Sequence, residues 1–150
     1  MSKKTHIRQT APFRWEDVQV LAYKEGGGTH FKSITRQVLF EECGPAGAEL
    51  RYFEIAPGGH STLERHEHVH SVMVLRGRGQ ALVGHEIHSV RVNDLVRVPP
   101  QTWHQFRATT DEPLGFLCLV RSERDKPRHP TPGELAALRA DGRIASFIRV

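Results

Sequence analysis

An all-β fold, a small barrel or sandwich, is what three features of this sequence predict. Short runs with strand character recur at regular intervals, with turn signals between them. Thirteen glycines and nine prolines, set against a charged fraction of 25%, suit a turn-rich β protein better than a helical bundle. In the stretch Pro57 to Gly79, Glu64, His66, His68 and His70 stand two apart, a spacing that turns their side chains to one face of an extended strand. With 150 residues and 38% hydrophobic content, the chain has apolar material for one core and one domain.

Residues 1–14 read as a flexible or loosely docked arm, residues 15–123 as the β domain, and residues 124–150 as a linker and helix packing on it. Trp15 to Tyr23 alternates as a strand would, with Trp15, Val18, Val20 and Ala22 as inward candidates. Glu25 to Thr29, centred on Gly26-Gly27-Gly28, is a loop, Phe31 to Glu41 a strand, and Cys43 to Gly47 a turn. Glu49 to Ala56 is a strand ending at Pro57-Gly58. Ser71 to Leu75 is an apolar strand closed by Gly77 and Gly79, and Gln80 to Val83 and Glu86 to Arg91 form a hairpin turning at Gly84-His85. His60, His85 and His88 are expected at the surface. Asn93-Asp94 is a turn, Leu95 to Val98 a strand, and Pro99 to Thr102 a tight loop that leads to His104 and Phe106 on a further strand. Leu114 to Val120 is continuously apolar, as in a strand covered on both faces. Near the end, Thr131, Pro132 and Glu134 carry the marks of a capped helix start, and Asp141-Gly142 reads as its stop.

Composition excludes several functions. The net charge is +4 and the pI about 9.4, but arginines alternate with acids, as in Arg121 to Lys126, and no basic stripe with aromatics appears, so nucleic-acid binding is not expected. No apolar run approaches the ~20 residues that span a bilayer. Lys3 and Lys4 have no apolar segment behind them, and Cys43 and Cys118 are too few for a disulfide framework, so a reduced cytoplasmic protein is the expectation.

Imidazoles and a carboxylate crowded on one face are costly unless something unites them, and a divalent transition metal does so. A histidine delivered just after the rigid Pro99-Pro100 loop, His104, suits the same role. Both cysteines are distant from these stretches in sequence, so thiolate ligation is not expected.

The two stretches resemble the paired motifs of the cupin superfamily. Gly58, Glu64, His66, His70 and Gly77 satisfy the gaps of the first motif, and Asn93, Pro99, Gln101, His104 and Ala108 those of the second. Glu64 stands where the family usually has its first histidine and His70 where it usually has glutamate. Gln101 and Ala108 replace a glycine and an asparagine. The resemblance implies a single jelly-roll barrel with extra N-terminal strands, a homodimer, and a metal set of Glu64, His66, His70 and His104 holding Fe, Mn, Ni or Zn. His68 would fall in the turn between the second ligand and the third.

Open coordination positions favour an enzyme acting on a small organic molecule. The first reading is a dioxygenase-like oxidoreductase for a phenolic or enolic substrate, with Glu64 as ligand and catalytic base and Val72, Val74, Phe106 and Phe116 as the apolar wall. The alternatives are a metal-dependent isomerase or lyase, and a non-catalytic small-molecule-binding module.

Overall fold

A computed structural model describes residues 4–24, 27–45 and 47–150. Within it an eight-stranded antiparallel sheet closes on itself as a barrel, as the sequence predicts. The two strands that organise it are β5 (Ala48–His60) and β6 (His70–Val83). β10 (Leu114–Arg121) lies between them, pairing Cys118 with Arg51 on one side and with Val72 on the other. At the opposite end β9 (His104–Ala108) makes the same link, through His60↔Arg107 and Val83↔His104. β7 (Glu86–Arg91) and β8 (Leu95–Val98) pair with the free edge of β6. β4 (Lys32–Phe40) and β3 (Leu21–Ala22) extend the sheet beyond β5.

Strand parity sorts the side chains. Ile34, Phe53, Ile55, Val72, Val74, Phe106, Phe116 and Cys118 share the interior cluster. Leu82, one residue beyond the interior Ala81, faces outward and joins Leu63, Leu138, Ile144 and Phe147 in a second cluster. That outer cluster seats the C-terminal helices α1 (Pro132–Arg139) and α2 (Gly142–Phe147) on the barrel. The Thr131–Glu134 capping box is present at α1. Asp141, expected as part of a stop, is the N-cap of α2, its side chain accepting from the Arg143 amide.

Several local expectations need correction. β6 does not end at Gly77; it runs on through Gly79 to Val83, and those glycines mark close backbone approach rather than a turn. A Cβ at Gly77 (φ +64°) would lie 1.8 Å from the Pro113 carbonyl oxygen, and one at Gly79 would lie 2.2 Å from that of Arg107. β5 likewise continues through Pro57-Gly58 to His60. The segment from Trp15 to Tyr23 is not one strand. Asp17 adopts φ 58°, which separates β2 (Arg14–Trp15) from β3 and leaves Val20 and Ala22 exposed. In β10, Leu119 is 43% exposed, so its outer face is uncovered at that end.

The arm docks in part: β1 (Gln9–Ala11) pairs with β2, and Phe13 stacks on Tyr52 at 5.6 Å between ring centroids. The N-terminal end of the arm before Lys4, the Glu25-Gly26 part of the glycine loop and Ala46 of the following turn lie outside the described residues. Among the described residues no helix is long and apolar enough to cross a membrane.

The Gly77 contact gives a stability prediction. Gly77→Ala is expected to cost about 3 kcal/mol or more, because backbone rather than a flexible side chain must move. Gly84→Ala, also at positive φ (+65°) but with only Thr102 Cγ2 nearby at 3.7 Å, is expected to cost about 1 kcal/mol. Denaturant unfolding of both variants measures the difference, and equal losses would remove the steric argument.

Candidate metal centre

Between β5 and β6 the chain leaves regular structure, and this loop builds the site. Glu64 and His104 exchange backbone hydrogen bonds, Glu64 N to His104 O at 3.2 Å and His104 N to Glu64 O at 3.1 Å. The Gln101 amide donates to His66 O at 2.7 Å, bringing the Pro99–Thr102 loop against the same segment. Gln101 reaches that position with φ 52°, and Asn93 turns with φ 75°, so both residues at the family's glycine positions adopt left-handed backbone. The expected single strand carrying the His/Glu cluster is absent. Bends at Glu67 and His68 break it, and the side chains converge through the loop instead.

Three of the four expected ligands come together. One ring nitrogen from each of His66, His70 and His104 lies within 4.8 Å of the others. Their orientation is fixed from behind. His66 Nδ1 donates to His68 O at 2.8 Å and His104 Nδ1 to Thr102 O at 2.9 Å, which leaves each Nε2 lone pair for a ligand. His66 Nε2 and His70 Nε2 face each other at 2.9 Å. Two nitrogens bound ~2.1 Å from one ion at roughly a right angle stand about 3 Å apart, so the residues fit a divalent metal. Burial is the main cause that pushes His66 and His104 down to about 4 and His70 well below its ordinary value, with neighbouring imidazoles adding to the effect. Neutral imidazoles are the form that binds metal.

Glu64 is 6% exposed and lines the same cavity, but its Oε2 accepts from Lys24 Nζ at 2.5 Å rather than joining the histidine group. His68 sits in the turn, as the family resemblance implies. Its ring stacks on His66 at 3.5 Å and its Nδ1 meets Asp125 Oδ1 at 2.8 Å. Asp125 also accepts from the Glu67 and His68 amides, so His66, His68 and Asp125 form a hydrogen-bonded chain, and their ligand atoms lie within 4.8 Å of one another as a second candidate metal group. His60 is half-buried at the end of β5, while His85 and His88 are exposed.

Cys118 is the residue that sequence reasoning missed. It lies far from both motifs in the chain, yet its Sγ is 3.1 Å from His70 Nδ1. Burial raises the thiol to about 12, and Arg51 and Arg124 act in the opposite direction. The signal was strand parity: Cys118 shares a face with Phe116, and its β6 partner is Val72. These groups line a cavity of about 690 Å³, with Val72, Phe106 and Phe116 as its apolar wall. Val74, expected in that wall, is fully buried in the core behind it. The volume is within the range of small-molecule sites.

Comparison with known proteins agrees with this architecture. A cupin domain family model matches residues 51–120. A Rhodospirillum rubrum protein named 1-methylthio-D-xylulose 5-phosphate methylsulfurylase is 56% identical over 152 residues, covering 99% of this chain and 97% of that protein. A cupin 2 conserved barrel domain protein from Rhodopseudomonas palustris superposes with a TM-score of 0.90 at 53% identity, covering 97% of this chain and all of that one (100%). A cupin-2 domain structure from R. rubrum gives 0.84 at 56% identity, covering 95% and 94% of the two chains. The chain belongs to the cupin superfamily.

The histidine geometry predicts one divalent ion per chain, with affinity reduced on the order of 100-fold or more in His66→Ala and His104→Ala, read by elemental analysis and metal titration. Without metal, the unfolded chain holds more protons than the folded one between the ordinary histidine value of 6.5 and about 4. Stability is therefore fully present above pH 6.5 and falls as the pH drops through that window. Thermal melts of the metal-free protein across the window measure this, and a flat series would contradict the buried neutral triad.

Proposed function

We propose that this cupin is an enzyme acting on 1-methylthio-D-xylulose 5-phosphate, transferring its methylthio group to a thiol. Two facts support the reading: the 56% identity to the R. rubrum methylsulfurylase over nearly the whole of both chains, and the Cys118–His70 contact of 3.1 Å in the metal cavity. The contact carries the chemistry. A dioxygenase-like reaction, the first reading of the sequence, does not call for a thiol beside one of the clustered imidazoles. Carbon–sulfur cleavage does.

The substrate bears its methylthio group on C1, next to the C2 carbonyl, so C1 can depart with an electron pair that the carbonyl accepts. Cys118, as thiolate, attacks the methylthio sulfur. A sulfur–sulfur bond forms, the C1–S bond breaks, and its electron pair passes to C1 and the C2 oxygen. A proton delivered to C1 gives the 1-deoxy ketose phosphate. Carbon is thereby reduced by two electrons while the two sulfurs are oxidised to a disulfide. A small thiol from solution then attacks the methylthio sulfur and leaves as the mixed methyl disulfide, restoring Cys118.

The chain supplies the required groups. With its Nε2 turned towards His66 and taken up by the ion, His70 would carry its hydrogen on Nδ1, facing the sulfur, and would favour the thiolate. Arg51 and Arg124 favour the same charged form, against the burial that raises the thiol to about 12. His66, His70 and His104 would hold a divalent ion, which would supply Lewis acidity to the substrate carbonyl. Glu64 and Lys24, joined at 2.5 Å on the cavity wall, are the proton-exchanging pair for C1.

The metal-loaded protein is expected to convert the substrate in the presence of a small thiol, without consuming dioxygen, giving equal amounts of 1-deoxy sugar phosphate and mixed disulfide by mass spectrometry. Cys118→Ser is expected to lower the rate by about 1,000-fold or more while retaining the metal. Full turnover in that variant, or a requirement for dioxygen, would overturn the proposal.

A further inference from the structure

Positive charge is not spread evenly around the cavity. Of its apolar wall, Val72, Phe106 and Phe116 offer no side-chain donor, and Lys24 is committed to Glu64. The remaining lysine and arginine side chains of the lining are Arg36, Arg51, Arg124 and Lys126. Arg51 is the direct β5 partner of Cys118, so it begins one strand away from the thiol. Arg124 follows the end of β10, Arg36 lies on β4 opposite Phe53, close enough to Arg124 to repel it, and Lys126 is a further cation of the lining.

One carboxylate serves two of these guanidiniums. Glu49 Oε2 accepts from Arg51 Nε at 2.7 Å, from Arg51 Nη2, and from Arg124 Nη1 at 3.3 Å. A single negative charge between two positive ones leaves the group cationic, and Arg51 Nη1 has no partner among the described residues. The side chains of Arg51 and Arg124 are only 12% and 25% exposed, so water screens their excess charge less than at an open surface. A half-buried guanidinium pair with spare donors is suited to bidentate recognition of a phosphate dianion.

We propose that Arg51 and Arg124, backed by Arg36 and Lys126, anchor the substrate's phosphate and so set both the substrate class and its orientation. This rests on the reading above that the substrate is a sugar phosphate. Paired strand positions stand about 5 Å apart, and the long arginine side chain carries its guanidinium farther from the thiol. A phosphate held there places the far end of a short ketose chain at Cys118 and the histidine triad. The same anchor disfavours neutral sugars, which leave the guanidiniums without an anion.

The test is equilibrium binding of D-xylulose 5-phosphate and of D-xylulose to the metal-loaded protein, since neither carries a methylthio group and neither measurement needs turnover. The wild type is expected to prefer the phosphorylated sugar by about 10- to 100-fold. Arg124→Gln, which sits beyond the barrel strands, and Arg51→Gln are each expected to remove most of that preference, and Arg51→Lys to restore part of it. Equal binding of the two sugars by the wild type, or an unchanged preference in both glutamine variants, would overturn the anchor. No turnover of the methylthio substrate, with the phosphate preference intact and lost in the variants, would overturn the proposed reaction and support the anchor.

Discussion

Two reciprocal hydrogen bonds between the backbones of Glu64 and His104 hold this site in being. The residues lie forty positions apart, one in a loop after β5 and the other at the start of β9. Their pairing clamps the first histidine-bearing segment against the second. Without it, His66 and His70 would belong to one side of the barrel and His104 to another. Everything that the cavity does chemically follows from this short antiparallel bridge and from the barrel closure that aligns it.

Once assembled, the site is an electrostatic compromise. Neutral imidazoles tolerate burial far better than charged ones, and burial depresses the basicity of His66, His70 and His104. The nitrogens that face backbone carbonyls must carry hydrogen, so the opposite nitrogens must carry lone pairs. Lone pairs converging on one point repel one another until a cation enters. The protein thus stores an unfavourable arrangement in a rigid frame, one that a bound metal ion would relieve. Cys118 sits against His70 Nδ1, which couples the thiol to whatever the imidazole binds at its other nitrogen.

The sequence made the triad legible because spacing and the cupin resemblance both pointed to His66, His70 and His104. It made the barrel legible for the same reason, through alternation and turn residues. What it obscured is instructive. Gly77 and Gly79 read as strand ends, yet they are places where another backbone comes too close for any side chain. Asp17 broke a strand whose alternation looked sound, because one residue in left-handed backbone turned the chain aside. Asn93 and Gln101 adopt left-handed backbone, which glycine enters most readily, so the turns form despite two departures from the motif. Cys118 was discounted for its distance along the chain, whereas its place on the inward face of β10 was the relevant fact. Glu64 kept its place in the cavity, but its lysine partner came from Lys24, a residue without a sequence signal.

The segment after β10 has a wider meaning for how the molecule behaves as a unit. Arg65 and Arg128 form an isolated backbone bridge, and both guanidiniums reach Glu134, the residue that closes the α1 capping box. Asp125, a few residues earlier, grips the amides of Glu67 and His68. The C-terminal strap, the helix start and the histidine loop are therefore tied together by hydrogen bonds into one structural element. The barrel alone is not a transplantable module. A chimera that keeps the strands but exchanges the tail would lose the contacts that hold its histidine loop in place.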